Sequence, residues 1–469
     1  MKVVKRNGTI VDFDENRIIS AIENAMRETK DGVDNEISRL ISKQIKKKSF
    51  DVIQVEQIQD IVEECLMNTN RKDVAKSYIL YRNNRNKTRN NNKNTGLLNE
   101  EFLSDYKHRP SPMNQLGNFV YYRTYSRWLP EEQRREYWWE TVKRAVEYNC
   151  SLVPTTKEEA EKLYDNIFNL RQFLSGRTLY IGGTLVSEKF PTSNYNCSFA
   201  VVDDFEVFKD AFYLLMIGSG FGFRILKNDV LKLPRVKTNV EIIHKYYTSI
   251  PKNKREDNTS IQFTNNNMIK IIVGDSKGGW VQALDYLLKM LWDKDFIDIK
   301  TIIFDYDYVR PKGERLKTFG GTASGYESLK SMFSKVDKII KKEGHNQNKE
   351  RIKLRPINCL DILNTIGENV VIGGVRRTSE IALINSDDEE CIKAKSNLYK
   401  QVGNGKWEID TELIHRQMSN NAIYYKEKPS REQIHWQIEQ MRYSGEPSFV
   451  NEIAGNKRRP NFNGVNPCA

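Results

Sequence analysis

The sequence predicts an α/β protein built in two parts, and three observations carry that expectation. Short apolar runs, among them CSFAVV at 197–202, IIFDY, IALI and SFVN, alternate with longer helix-like stretches such as FKDAFYLLMIGSG and GWVQALDYLLKMLW. That alternation favours a large α/β core over an all-helical assembly. Glycine clusters fall where these elements end, and an asparagine- and lysine-rich run at 83–94 sets a small leading unit apart from the rest.

The leading unit, about residues 1–89, offers two short strand candidates around KRNG and TIVDF. A patterned helix follows from Glu15 to Met26, with Ile18, Ile19, Ile22 and Met26 on one face. A second helical region after Asp51 uses Val55, Ile58, Ile61, Val62 and Leu66, and a third covers Val74 to Tyr81. The turn in VVKRNG, from Val3 to Gly8, can hold a triphosphate through backbone donors and the cations Lys5 and Arg6. The same residues also fit an exposed basic turn with no ligand.

Beyond residue 100 the composition shifts. Aromatic and basic residues interleave in FVYYRTYSRWL (119–129) and YWWETVKRAV (137–146). Such a mixture can stack bases and touch phosphates, yet helix packing with guanidinium contacts explains it at lower cost. The glycine clusters are SGRTLYIGGT at 175–184, GSGFGF at 218–223, FGGTASG at 319–325 and GGVRR at 373–377. None has full GxGxxG spacing and no GxxxxGK[ST] occurs, so kinase, ATPase and simple dehydrogenase readings lose their best local support.

Composition bounds the function loosely. A chain of 469 residues with 39% hydrophobic residues can bury a substantial core. The net charge of +12 admits nucleotide or nucleic-acid partners, but the cations are interleaved with 62 acidic residues and form no basic tail. No secretory signal opens the chain and no run of about 18 apolar residues follows, so a cytoplasmic protein without a membrane span is expected. The six cysteines, Cys65, Cys150, Cys197, Cys359, Cys391 and Cys468, include no CxxC pair. A zinc knuckle, an iron-sulfur site and a disulfide framework therefore have no support, and no metal site is expected. Cys468 follows Asn466 and Pro467 at the chain end, while Cys197 sits in NYNCSF. Taken singly, each reads as an ordinary cysteine.

The ordered set of motifs is far more specific than any member. YYRTYSRWLP, WETVKRAVEYN, SGRTLYIGGT, NYNCSF, GFGFRI, VRPKG, FGGTASG, IGENVVIGGVRRTSEIAL, SNNAI, GEPSFVN and NPCA occur in that order. Together they resemble ribonucleotide reductase, and especially its monomeric adenosylcobalamin-dependent class II branch. The first unit, with VVKRNG and DVAKSYILYRNNR, resembles the ATP-cone regulatory domain attached to many of these enzymes. The resemblance implies an ATP cone over 1–89, a linker over 90–109, and over 110–469 the N-terminal part of a ten-stranded α/β barrel of two five-stranded halves.

Roles follow by the same resemblance. Cys468 becomes the thiyl-radical cysteine that abstracts the ribose 3′ hydrogen, Asn466 the amide that hydrogen-bonds the ribose, and Cys197 one of two cysteines that supply reducing equivalents. Lys5, Arg6 and Asn7 fall in the cone's nucleotide-contacting turn for ATP or dATP, and Lys317 falls in the loop from Arg310 to Gly321 that links effector identity to base selection. Adenosylcobalamin is the implied cofactor, ribonucleotides (triphosphates by the family's leaning) the substrates, and a thiol carrier such as thioredoxin the reductant. The family's proton-exchanging glutamate and second reducing cysteine would fall after Ala469, and neither Cys150, Cys359 nor Cys391 stands at the matching position. The expectation is thus that the isolated chain is inactive and needs a C-terminal continuation, on the same or a separate polypeptide. A noncatalytic nucleotide-binding regulator and a nucleic-acid-binding protein are the alternatives. The second leaves the ordered motifs as coincidence, and no specific nucleic acid is expected as a partner.

Overall fold

The computed structural model describes residues 2–4, 10–47, 52–93, 97–129, 132–265, 267–314, 322–372, 379–442 and 444–468. The chain divides into two compact units, Met1–Leu179 with Pro251–Lys254, and Tyr180–Ile250 with Arg255–Ala469.

In the first unit, strands β1 (Lys2–Val4), β2 (Ile10–Asp12) and β3 (Val52–Gln54) form a sheet in the order β2-β1-β3. Helices α1 (Glu15–Met26), α2 (Asn35–Lys47), α3 (Val55–Met67) and α4 (Lys72–Lys93) accompany it. Val3 of β1 and Ile53 of β3 meet the helical stripes of Ile18, Ile22, Met26, Ile41, Ile45, Ile58, Val62, Leu66, Val74 and Tyr78 in a single core, with Val11 of β2 packed at its edge. Asp14 caps α1, its side chain accepting from the Asn16 N–H at 3.0 Å.

Two features differ from the sequence expectation. The sequence reading includes no helix at α2, although Ile37, Ile41 and Ile45 recur at helical spacing; Ile41 and Ile45 are buried with the small Ser38 and Ser42. Helix α4 continues through the asparagine-rich run to Lys93, where a break between parts is expected. Asparagine and lysine are poor core residues but do not break a helix already nucleated, and the run holds neither proline nor glycine. Arg82 ties α4 to α3 by donating to Asp60 (2.6 Å), Glu56 (2.9 Å) and Glu63 (3.0 Å).

A second core in this unit gathers Leu98, Leu103, Tyr106, Tyr121, Trp138, Val142, Val146, Tyr164, Ile167 and Phe168. It includes helix α5 (Glu100–Lys107), so the expected linker 90–109 contains a packed helix. The reason is local: Asn99 caps it by accepting from the Phe102 N–H at 2.8 Å, and the Tyr106 hydroxyl donates to Asp165 at 2.8 Å. The aromatic stretches are divided between roles. Tyr121 and Trp138 are buried, with the Trp138 indole donating to the Phe168 carbonyl at 3.0 Å, whereas Phe119, Tyr122, Trp128 and Tyr137 stay exposed.

Among the described residues the second unit holds two larger sheets and two short two-stranded ones. Strands β4 (Cys197–Val201), β5 (Gly220–Arg224), β10 (Glu380–Asn385), β11 (Ser419–Tyr425) and β12 (Ser448–Asn451) form a five-stranded sheet in the order β12-β11-β10-β5-β4, parallel throughout. A parallel sheet needs helices to cover it. Helices α8 (Glu206–Met216) and α11 (Pro356–Ile372) share the core with Phe221, Phe223, Ala382, Ile384, Ile423 and Tyr425, which alternate along the strands toward one face. The other larger sheet, in the order β7-β8-β9-β6, comprises β6 (Glu241–His244), β7 (Ser260–Asn265), β8 (Met268–Ile272) and β9 (Thr301–Asp305). Helices α9 (Lys277–Trp292) and α10 (Glu327–Gln347) supply Leu284, Leu287, Leu291, Phe333 and Val336 to the same core as Ile271, Ile302 and Phe304. Asp361 on α11 holds the segment before β11, accepting from Arg416 Nε (2.6 Å) and Nη2 (2.8 Å).

Glu136, 4% exposed, accepts from Arg144 Nε at 2.7 Å and Nη2 at 2.8 Å and from the Thr141 hydroxyl at 2.7 Å. Burial pushes its pKa up, but Arg144 and Thr141 outweigh that, and the carboxyl is held below its ordinary 4.5. A depressed carboxylate stabilises the fold above the ordinary range and loses that contribution as pH falls through it. Glu136→Gln should therefore cost ~3 kcal/mol near neutral pH, with the deficit against the native chain shrinking on acidification; calorimetric melting across pH checks both.

Candidate active site

The face of the five-stranded sheet turned away from α8 and α11 carries Cys197, Phe199, Gly220, Gly222, Arg224, Ile381, Leu383, Ala422 and Tyr424 by strict alternation. After β12, helix α12 (Glu452–Arg458) ends and the chain returns across this face as the segment 459–468. Phe462 and Val465 pack there against a small buried cluster of Leu226, Leu383, Ala422 and Tyr424, with Phe199 beside them.

The approach is possible because the strand below lacks side chains at two positions. A Cβ on Gly222 would lie 2.3 Å from the Val465 carbonyl oxygen and 3.0 Å from Asn466 Cα, both backbone atoms that cannot swing aside. A Cβ on Gly220 would lie 3.3 Å from Pro467 Cγ and 3.5 Å from the Cys197 sulfur. The GSGFGF cluster thus works by close backbone approach, and its alternating Phe221 and Phe223 fill the helix-side core. At the segment's tip the Asn466 side-chain oxygen accepts from the Cys468 N–H at 3.1 Å, a tight turn spanning Pro467.

This placement brings three of the expected site residues together. Cys197, first residue of β4, and Cys468 are joined as a disulfide across a sequence separation of 271, with their Cα atoms 6.8 Å apart. Asn466 turns the chain between them. The cysteine implied as the redox partner of Cys197 would fall after Ala469, outside this sequence. Two-electron reduction of this disulfide frees both thiols. Cys468 is exposed and Cys197 half-buried. By contrast Cys359 and Cys391 are fully buried, and burial raises both thiols well above their ordinary range, which leaves them inert at neutral pH.

Lys5, Arg6, Asn7 and Lys317 lie outside the described residues. The stem of the 310–321 loop is described and firmly held. Arg310 donates to Asp275 Oδ1 from its backbone N–H (3.0 Å) and Nε (2.8 Å). Gly313 N–H donates to the Ala323 carbonyl at 2.9 Å, and Ala323 N–H to that of Glu314 at 2.8 Å. Sequence reasoning passed over Arg224 and Glu380. Arg224 ends the GFGFR strand facing the returning segment, and strand alternation counted from Gly220 would have pointed to it. Glu380 lies on the helix side of the sheet, 2% exposed, and burial drives its carboxyl well up even though Asn364 Nδ2 donates to it at 2.9 Å.

Comparison with known proteins gives this arrangement a class. Residues 1–87 match the ATP cone domain and residues 98–184 the ribonucleotide reductase alpha domain. Residues 241–340, which hold the second sheet, match the insertion domain of B12-dependent ribonucleotide reductase. These matches make the chain similar to ribonucleotide reductases that carry an ATP cone. More particularly, the chain matches the adenosylcobalamin-dependent, class II ribonucleotide reductases. It is 30% identical over 436 residues to the adenosylcobalamin-dependent ribonucleoside-triphosphate reductase of Lactobacillus helveticus, covering 79% of this chain and 55% of that protein. The enzyme of the same description from Lactobacillus leichmannii is 31% identical over 423 residues, covering 79% and 54%. A crystal structure of a B12-dependent (class II) ribonucleotide reductase superposes with a TM-score of 0.64 at 28% identity, over 79% of this chain and 55% of that one. The chain spans about half the length of the curated relatives it matches. Its five parallel strands are consistent with the N-terminal part of the class II barrel. Among the described residues no helix is long and apolar enough to cross a membrane.

Substituting Gly222 by valine should push the returning segment off the strand. Mild oxidation followed by peptide mapping should then show the Cys197–Cys468 cross-link largely lost in a chain that keeps its helical circular dichroism; native cross-link yield in the variant would contradict the close-approach account.

Proposed function

We propose that this chain is the N-terminal portion of an adenosylcobalamin-dependent ribonucleotide reductase, acting on ribonucleoside triphosphates, with Cys468, Asn466 and Cys197 as its contribution to the active site. The observation that carries the reading is the meeting of Cys197 and Cys468 on the open face of the parallel sheet. We assign residues 1–89 to an ATP cone that senses ATP or dATP through Lys5, Arg6 and Asn7, and residues 110–469 to the catalytic part, with 90–109 joining them. Lys317 is assigned to the loop that couples effector to base choice. A C-terminal continuation completes the barrel, a thiol carrier of the thioredoxin kind restores the cysteines, and reduced thiols suit a cytoplasmic setting.

Adenosylcobalamin would act at Cys468, whose thiol, once freed from Cys197 by reduction, can yield a hydrogen atom to a radical. When bound, the cofactor supplies that hydrogen-abstracting capacity. The chain's own residues do the rest. The Cys468 sulfur takes the 3′ hydrogen of the ribose and later returns it. The Asn466 amide donates to a ribose hydroxyl and so fixes the sugar against that sulfur. Cys197 gives a proton and, with a second thiol, two electrons as the 2′ hydroxyl leaves as water, so that two thiols become one disulfide.

Two measurements test this. The chain combined with its C-terminal continuation should reduce ribonucleoside triphosphates in the presence of adenosylcobalamin and a dithiol, and Cys468→Ser should abolish turnover; retained turnover in that variant, or activity only with an iron or manganese radical partner, would overturn the assignment. Titration calorimetry on the whole chain should show ATP or dATP binding that weakens about tenfold or more in the double variant Lys5→Ala, Arg6→Ala, since each cation supplies charge-assisted hydrogen bonds.

A further inference from the structure

The segment that carries Cys468 is held by a side chain that belongs to neither thiol. Arg224 closes β5 on the open face of the sheet, and its guanidinium serves two partners at once. Nε and Nη2 donate to the two carboxylate oxygens of Asp229 at 2.8 and 3.2 Å. Nη1 donates to the backbone carbonyl of Asn463 at 3.0 Å and to its side-chain oxygen at 3.2 Å. The Arg224 guanidinium also lies 5.7 Å from the centroid of the Tyr424 ring, whose hydroxyl donates to the Phe462 carbonyl at 3.2 Å. The side chains of Arg224 and Asp229 are only 13% and 10% exposed, so water competes little within that pair, while Asn463 at the other end of the guanidinium is exposed.

We propose that Arg224, oriented by Asp229, is a positioning residue that sets where Cys468 stands above the sheet. The proposal rests on the assignment of Cys468 to the chemistry. Arg224 touches no reacting atom; it acts through the backbone at Asn463. From there to Cys468 the chain has little freedom. Gly464 lies against Phe199, where a Cβ would fall 2.3 Å from the ring, Val465 is packed, and the Asn466 turn with Pro467 stiffens the tip. Fixing Asn463 therefore fixes the sulfur. A planar fork is required for this, because one edge must grip a carboxylate while the outer nitrogen reaches the carbonyl; lysine offers a point charge and can satisfy one partner only. A misplacement of about 1 Å between reacting groups can cost on the order of a hundredfold in rate, which makes such an anchor consequential.

The test reads the geometry through the thiols of the full chain and needs no turnover. Reduced native chain, Arg224→Ala, Arg224→Lys and Asp229→Asn are equilibrated with a glutathione redox buffer, and the Cys197–Cys468 disulfide is quantified by alkylation and mass spectrometry. Its population gives the effective concentration of one thiol at the other. Arg224→Ala should lower that value tenfold or more, with smaller losses for Arg224→Lys and Asp229→Asn. Arg416→Ala breaks a buried pair with Asp361 in the same unit and serves as the stability control: it should lower the melting temperature and leave the effective concentration unchanged. The proposal is overturned if the folded Arg224 variants match the native value, or if Arg416→Ala lowers it equally. Should Arg224→Ala not fold, the lysine variant and Asp229→Asn decide the matter by the same measure. If the thiols respond as expected while Cys468→Ser stays active in the completed enzyme, the functional assignment fails and the positioning role stands.

Discussion

The site depends on the absence of side chains at two alternate positions of one strand. Gly220 and Gly222 leave a bare stripe on the open face of the parallel sheet, and the returning segment lies in it with backbone against backbone. A hydrophobic residue there would improve the sheet's propensity and remove the site. The helix-side core holds that strand in place. Phe221 and Phe223 anchor the same strand from behind, and helices α8 and α11 cover it so that the strand has no latitude to shift.

Charge placement divides along the two faces of the sheet. On the helix side, acids are handled in two contrasting ways. Glu343, 2% exposed, stays a carboxylate: burial pushes its pKa up, but Arg355, Gln347 and Asn358 prevail and hold it below its ordinary value. Glu380 accepts from the neutral amide of Asn364 and faces the charge of Lys395, yet burial prevails and drives it toward the protonated form. On the open side the ion pair of Arg224 and Asp229 remains within reach of the returning segment. The pair is less a source of stability than a fixed direction in space, which is the role best suited to a partly buried charge pair.

Much of this was legible in the sequence, because it depends on local periodicity and on the order of motifs. The helical stripe Ile18, Ile22 and Met26, the strands at CSFAV and IALI, and the glycine cluster of GFGF stand where spacing puts them. The rest was hidden for physical reasons. Helix α4 runs through residues that carry no core signal, and α5 owes its place to an asparagine cap. Arg224 looked like any strand-terminal cation, since its partner Asn463 stands 239 residues away. The joining of Cys197 to Cys468 was equally unreadable from spacing, being a product of the fold alone.

That bond has a topological consequence. Linking residues 197 and 468 turns nearly all of the second unit into a covalent ring, with both larger sheets strung along it. In the chain-entropy view, closing a ring of that size restricts the unfolded chain by about 5 kcal/mol, near the upper end of what a disulfide achieves. The oxidised protein is then sturdier than the reduced one by virtue of its denatured state, with no new contact in the native fold. Opening the ring to arm the thiols gives up that protection, so chemical readiness and resistance to unfolding pull in opposite directions within the same pair of sulfur atoms.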